Sequence, residues 1–208
     1  MKKRILLIGG SGGIGNAIGE SLKDSYFLIT CSRKKPIYKS EFLQLDLSSE
    51  KSIKEFINCF KKRFKKLDGI IFASGKSEVA KRKSGNRLQN PSIFRELIDV
   101  NLLGFYDLLY GLQDYLAQNS SIILISSVGA HLSFPDNPGY QVSKAGLESL
   151  SRCLANDLSC KNVRVNSVAL GYFKTKMTEK SFIDLEMRKR RSSRTLLDRW
   201  GEPKEING

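Results

Sequence analysis

The sequence predicts an α/β domain: a doubly wound parallel sheet, three layers deep, with helices on both faces. Three observations carry this prediction. Short apolar runs without polar alternation recur along the chain, as strands buried on both faces would read. Longer segments with apolar residues at helical spacing separate them, the rhythm of repeated strand–helix units. A glycine-dense stretch lies between the first strand and the first helix.

The elements follow in order. Ile5 to Ile8 is the first strand, and Ile14, Ala17, Ile18 and Leu22 mark the helix behind the glycines. Tyr26 to Thr30 reads as the second strand and Phe42 to Leu45 as the third. Ile53, Phe56, Ile57, Phe60 and Phe64 line one side of a helix whose other side is basic, and Ile70 to Ala73 is the fourth strand. A polar, basic stretch from Lys76 to Asn90 reads as loop. One long helix is expected from about Ser92 to Gln118, then a fifth strand at Ile122 to Ile125. Pro135 and Pro138 precede a helix over about Tyr140 to Leu158, and Val163, Val165 and Val168 form a sixth strand. No linker, repeat or low-complexity tract interrupts residues 1–208, so a single domain is expected.

Composition narrows the function classes. The 208 residues are 40% hydrophobic, and 35 Lys plus Arg against 21 Asp plus Glu give +14. Such a charge suits phosphorylated cofactors, anionic substrates or polyanions. The basic residues are scattered over several elements and no zinc-finger or RNA-recognition signature is present, so nucleic acid is not the expected partner. The four cysteines form no Cys-x-x-Cys pair and His131 is the only histidine, so no metal site is expected. No run approaches a membrane span and the apolar run after the basic start is too short for a signal peptide; a reduced, cytoplasmic protein is expected.

Three stretches carry chemistry. Gly9-Gly10-Ser11-Gly12-Gly13-Ile14-Gly15 follows the first strand and opens a helix. There, backbone amides and the positive helix end can face a pyrophosphate. The spacing fits GxGxxG, GxxGxxG and GxxxGxG alike, so the loop points to a dinucleotide without naming a subfamily. The second strand runs into Cys31-Ser32-Arg33-Lys34 with no acid to accept from a ribose 2′-hydroxyl. Ser32 and Arg33 suit a 2′-phosphate instead, so NADP(H) is expected over NAD(H). Tyr140 and Lys144 stand one helical turn apart, where an ammonium would lower a phenol pKa. With seven Tyr and 22 Lys in the chain, chance supplies about 0.7 such spacings, and Tyr172 with Lys176 is a second. Each tyrosine has a serine 13 residues upstream, Ser127 and Ser159. Ser127 ends a strand at the edge where α/β sheets bind ligands and Ser159 ends a helix, so Ser127, Tyr140 and Lys144 are the candidates. His131 is a loop histidine without a visible partner.

Together these residues resemble the single-domain short-chain dehydrogenase/reductase family, which has the Rossmann fold. The likeness runs from Lys2 to the end of the chain. Ile8 to Gly15 is similar to TGxxxGIG, and Asp46-Leu47 matches the adenine contact after the third strand. Asp99-Val100-Asn101-Leu102 is similar to the segment bearing the catalytic Asn. Arg164-Val165-Asn166 also fits, and Leu170-Gly171 with Thr175 resembles PGxxxT, which contacts the nicotinamide carboxamide. The departures are Ile8 for Thr, Phe72-Ala73-Ser74-Gly75 for NNAG, Leu170 for Pro, and an ending. Asp198 to Ile206 is similar to GRxGEPxEIA, after which the family has a helix and a seventh strand; the sequence stops at Gly208, so six strands are expected and the seventh is missing.

The resemblance implies hydride transfer between a nicotinamide and a ketone or secondary alcohol. Tyr140 would be the general acid, Ser127 would hold the carbonyl oxygen, Lys144 would bind the ribose, and Asn101 would hold a relay water. Cofactor contacts would come from Gly9, Ser11, Gly12, Gly13, Ile14, Gly15, Ser32, Arg33, Asp46, Leu47, Ala73, Gly75, Tyr140, Lys144, Gly171 and Thr175. Residues 171–199 are similar to the substrate loop and carry nine basic against four acidic residues, suiting an anionic or carrier-bound substrate; Gly201-Glu202-Pro203 leans toward 3-oxoacyl carrier-protein reductases. A homodimer or homotetramer through the long helices is also implied. A non-catalytic dinucleotide sensor or scaffold on this fold is the alternative.

Overall fold

The computed structural model describes residues 2–79 and 88–207; eight residues of the basic stretch expected to be loop, 80–87, lie outside these. Six strands are described: β1 (Arg4–Ile8), β2 (Phe27–Ser32), β3 (Glu41–Gln44), β4 (Leu67–Phe72), β5 (Leu116–Ser127) and β6 (Arg164–Leu170). They form one parallel sheet in the order β3-β2-β1-β4-β5-β6. The winding reverses between β1 and β4, and such sheets bind ligands beyond their strand ends at this point. Because every strand is parallel, all six carboxyl ends lie along one edge. Ile8, Ser32, Phe72, Ser127 and Leu170, far apart in sequence, therefore end on the same side.

The strands are apolar throughout because both faces are covered. From β1, Leu6 and Ile8 enter a large core with Ile53, Phe56 and Phe60 of α2 (Glu50–Arg63). Leu7, alternate in the strand, enters a second core with Ile18 of α1 (Gly13–Leu22), and Ile5 packs against it. The large core also takes Phe105, Leu108 and Leu112 from α4 (Gly104–Leu112), and Leu147 and Leu154 from α5 (Pro138–Asp157). Phe60 is wholly buried and meets Tyr115 edge-on at 5.7 Å.

The long helix expected over 92–118 is divided. α3 (Pro91–Ile98) runs into a π-helical turn at Asp99–Leu103, then α4, then a 3-10 turn at Gln113–Tyr115. The Gly104 amide bonds the Asp99 carbonyl, a register that inserts one residue while keeping the helix path. Leu116 and Ala117, expected in the helix, are buried in β5, which starts earlier than the apolar run suggests. Leu116 pairs with Leu67, and the ladder then shifts to Gly69 with Ser121. Asn119, at φ 62°, makes that shift possible because Asn tolerates the left-handed region. The other expected boundaries fall within three residues of the observed ones.

Two short helices, α6 (Glu179–Ile183) and α7 (Leu185–Ser192), fill the expected substrate loop. The described residues end in a 3-10 turn at Pro203–Asn207. This turn lies on α1: Ile206 packs against the second core and Ser21 Oγ donates to Asn207 Oδ1 at 3.1 Å.

Candidate functional site

A cavity of about 620 Å³ opens at the carboxyl edge of the sheet, within the size range of small-molecule sites. The glycine turn forms its centre. Gly9 sits at φ 87°, and a Cβ there would fall 2.6 Å from the Ser74 Cα. At Gly15 a Cβ would stand 2.2 Å from the Gly9 carbonyl oxygen, so α1 folds directly onto the turn. A Cβ at Gly12, in contrast, would meet nothing nearer than 3.4 Å, and Gly12 lines the cavity. Gly12 is also the N-cap of α1 and gives no side-chain cap. The first-turn amides are thus available to an anion, which the helix dipole favours.

Every expected cofactor contact except Gly15 lines this cavity: Gly9, Ser11, Gly12, Gly13, Ile14, Ser32, Arg33, Asp46, Leu47, Ala73, Gly75, Tyr140, Lys144, Gly171 and Thr175. Gly15 lies just behind, where it lets the helix approach. Thr175 reaches across from the segment after β6 to Gly13, whose Cβ would stand 2.8 Å from Thr175 Cγ2. Asp46 accepts from the Ser48 amide and hydroxyl, which hold its carboxyl below the usual range, with a smaller push from Arg33. The Ser32 hydroxyl donates to the Lys34 carbonyl at 2.6 Å, so it steadies the basic loop and offers a ligand its lone pairs. Arg33 and Lys34 are exposed at the cavity wall.

Ser127, Tyr140 and Lys144 meet at the β5 end of the cavity. Lys144 is 4% exposed and its ammonium donates to the Ile125 carbonyl at 2.8 Å. Burial lowers its pKa to about 8, since desolvation disfavours the charged form. The Lys144 nitrogen lies 5.9 Å from the Tyr140 ring centre. The spacing predicts a phenol pKa lowered by this ammonium; in the fold, burial pushes Tyr140 up instead. A hydrogen bond with Ser127 pulls the other way.

Asn101 does not line the cavity. It is fully buried, turned inward by the π turn, and clasps the chain just after Gly75. Its Oδ1 accepts from the Lys76 amide at 2.7 Å, and its Nδ2 donates to the Lys76 carbonyl and to Ser143 Oγ, each at 2.9 Å. A Cβ on Gly75 would stand 3.5 Å from Lys144 Nζ and 3.7 Å from Asn101 Oδ1. Asn101 thus ties the chain after β4 to Ser143 of α5. Ile8, which lacks the threonine hydroxyl, is 1% exposed in the core, and its carbonyl accepts from the Ala73 amide at 2.8 Å.

The second Tyr–Lys spacing divides. Lys176 lines the cavity, whereas Tyr172 joins an aromatic cluster, 5.5 Å from the Trp200 ring and 6.2 Å from Phe134. Its hydroxyl is buried without a hydrogen-bond partner among the described residues, and Ser159 bonds its own helix end at the Asn156 carbonyl. Two ion pairs are not legible in the sequence. Lys76 and Glu96 pair at 2.6 Å on the cavity wall, and His131 pairs with Glu148 at 2.9 Å. No local pattern announces either pair, because the partners are 20 and 17 residues apart.

Residues 30–208 match the family model described as enoyl-(acyl carrier protein) reductase. The 3-oxoacyl-(acyl-carrier-protein) reductase FabG of Aquifex aeolicus is 30% identical over 97% of this chain and 76% of its own length. The chain belongs to the short-chain dehydrogenase/reductase family. Members of this family are oxidoreductases that use nicotinamide cofactors on alcohol or carbonyl groups. FabG of Thermotoga maritima is 29% identical over 78% of this chain, and the match spans only 64% of that enzyme's length. Solved structures agree in fold: a short-chain dehydrogenase family protein from Francisella tularensis superposes with a TM-score of 0.88 at 23% identity, covering 99% of this chain and 88% of its own. Two further similar structures hold different cofactors. Pseudomonas aeruginosa RhlG, in a complex with NADP, has a TM-score of 0.85 at 24% identity, over 98% of this chain and 86% of its own. A 4-hydroxyisoleucine dehydrogenase complexed with NADH has 0.83 at 25%, over 98% and 87%.

Proposed function

We propose that this protein is an NADPH-dependent reductase of ketones, with Tyr140 as general acid. The observation that carries the reading is the grouping of Ser127, Tyr140 and Lys144 in the cavity whose centre is the glycine turn. The uncapped amides of α1 and the bare face of Gly12 fit a pyrophosphate. Exposed Arg33 and Lys34, with no acid at the β2 end, favour a 2′-phosphate. NADPH would supply the hydride.

The chain's own groups would manage the proton and the oxygen. With its pKa raised by burial, Tyr140 keeps its proton at neutral pH and serves as an acid, which favours reduction. Ser127 would donate to the substrate oxygen and hold it near the phenol. Lys144 would bind the ribose hydroxyls. Asn101 would position the Lys76 backbone under the cavity rather than reach the reacting atoms. The basic segment over 171–199 would draw an anionic or carrier-bound substrate, as the similarity to the two FabG reductases suggests. The chain would self-associate through the π turn, α4 and α5, where Leu103, Tyr106, Tyr110 and Val142 are exposed.

The test pairs thermal unfolding with turnover. NADPH at 100 times its dissociation constant should stabilise the protein by about 2.7 kcal/mol, with a smaller shift for NADH at the same concentration. In a screen of ketones, Tyr140→Phe should lower kcat by about 10²–10⁴-fold while leaving the NADPH shift intact. Full activity in Tyr140→Phe would refute its role. NADPH binding with no turnover of any ketone would favour the sensor reading.

A further inference from the structure

We propose that Tyr38 is a positioning residue that locks the basic β2 loop onto the glycine turn and so sets the preference for NADPH. This inference rests on the dinucleotide reading above and assigns the residue behind its selectivity. Tyr38 lies in the loop between β2 and β3, next to Ile37, which is 90% exposed, yet Tyr38 itself is only 5% exposed. Its ring fills two notches made by absent side chains. A Cβ on Gly19 would lie 2.0 Å from the ring Cζ, and one on Gly10 would lie 2.4 Å from the hydroxyl. The hydroxyl donates to the Gly10 carbonyl at 3.0 Å and lies 3.4 Å from Thr30 Oγ1. Burial raises its pKa, so it remains a donor at neutral pH.

The loop is thereby held at both ends. At the near end Ser32 Oγ bonds the Lys34 carbonyl, and at the far end Tyr38 is keyed into α1. Between them Arg33 and Lys34 line the cavity. A ring wedged against Gly19 of α1 fixes the distance between the pyrophosphate turn and the two cations. The ring and the hydroxyl therefore have separable effects. The ring places the loop and acts on the 2′-phosphate alone. The hydroxyl braces the Gly10 peptide, which belongs to the turn that either dinucleotide would use.

Dissociation constants for NADPH and NADH, read by cofactor fluorescence beside the unliganded melting temperature, test this. Tyr38→Phe keeps the ring and should weaken both dinucleotides by a similar factor. Tyr38→Ala should weaken NADPH by about tenfold more than NADH, as the loss of one charge-assisted hydrogen bond would. Gly19→Ala provides the same test without removing a side chain. Alanine is the better helix former, but its Cβ would evict the ring, so NADPH preference should fall although α1 is favoured. An unchanged NADPH-to-NADH ratio in both Tyr38→Ala and Gly19→Ala, with only the melting temperature altered, would overturn the proposal and leave Tyr38 a core residue. Failure of the wild-type chain to bind either dinucleotide would overturn the dinucleotide reading as well.

Discussion

Lys144 carries its ammonium into a site that is 4% exposed, with the Ile125 carbonyl as its partner. Its folded pKa is about 8 against an ordinary value of 10.5. The sign of the linkage follows. Below pH 8 both folded and unfolded chains hold the proton, so this group adds no pH slope. Between 8 and 10.5 the unfolded chain binds more protons, so its contribution to stability rises with pH. The stability difference between wild type and Lys144→Met should therefore grow by about 3 kcal/mol across that window. Denaturant unfolding at a series of pH values would read it, and a flat difference would contradict a buried, depressed lysine. Comparison with the variant cancels Tyr140 and Tyr38, whose raised values act in the opposite direction. The same burial separates the sequence reading of Tyr140 from its setting in the fold. Spacing brings the phenol and the ammonium near each other, but the surrounding solvent exposure decides which way each titrates.

At the scale of elements, the glycine turn assigns different work to glycines that look alike in sequence. Gly15 is required by packing, since a Cβ would meet the Gly9 carbonyl oxygen, which cannot swing aside as a side chain would. Gly12 borders the cavity, with only that oxygen near, at 3.4 Å. Gly15→Ala should destabilise the fold by roughly 1–3 kcal/mol despite the better helix former. Gly12→Ala should melt within about 0.5 kcal/mol of wild type and lose the NADPH-induced shift. Melting curves with and without NADPH would separate the two, and equal destabilisation would contradict the assignment. The π turn belongs to this scale as well. A single inserted residue hardly alters the apolar rhythm of a helix, so the sequence reads as one helix over 92–118. The structure turns Asn101 inward at that insertion, and its amide clasps Lys76.

Across the whole molecule, the exposed apolar side chains gather in places. Leu103, Tyr106 and Tyr110 recur at helical spacing on the outer side of the π turn and α4, with Val142 on α5. Exposed apolar patches of this kind are typical of interaction surfaces. If they bury against a second copy, Tyr106→Glu should shift the protein to monomers in light scattering while leaving the unliganded monomer folded. A wild-type chain that is already monomeric at micromolar concentration would contradict this assembly. Short-range pattern alone determined the succession of strands and helices, the glycine turn between β1 and α1, and the grouping of Ser127, Tyr140 and Lys144. Each depends on residues within a few turns of one another, or on the rule that parallel strands end on one edge. Only the tertiary structure decided the Asn101 clasp, the Tyr38 key, the His131–Glu148 pair and the direction in which Lys144 and Tyr140 titrate. These depend on burial and on atoms from distant segments brought within hydrogen-bonding reach, which no periodicity along the chain encodes.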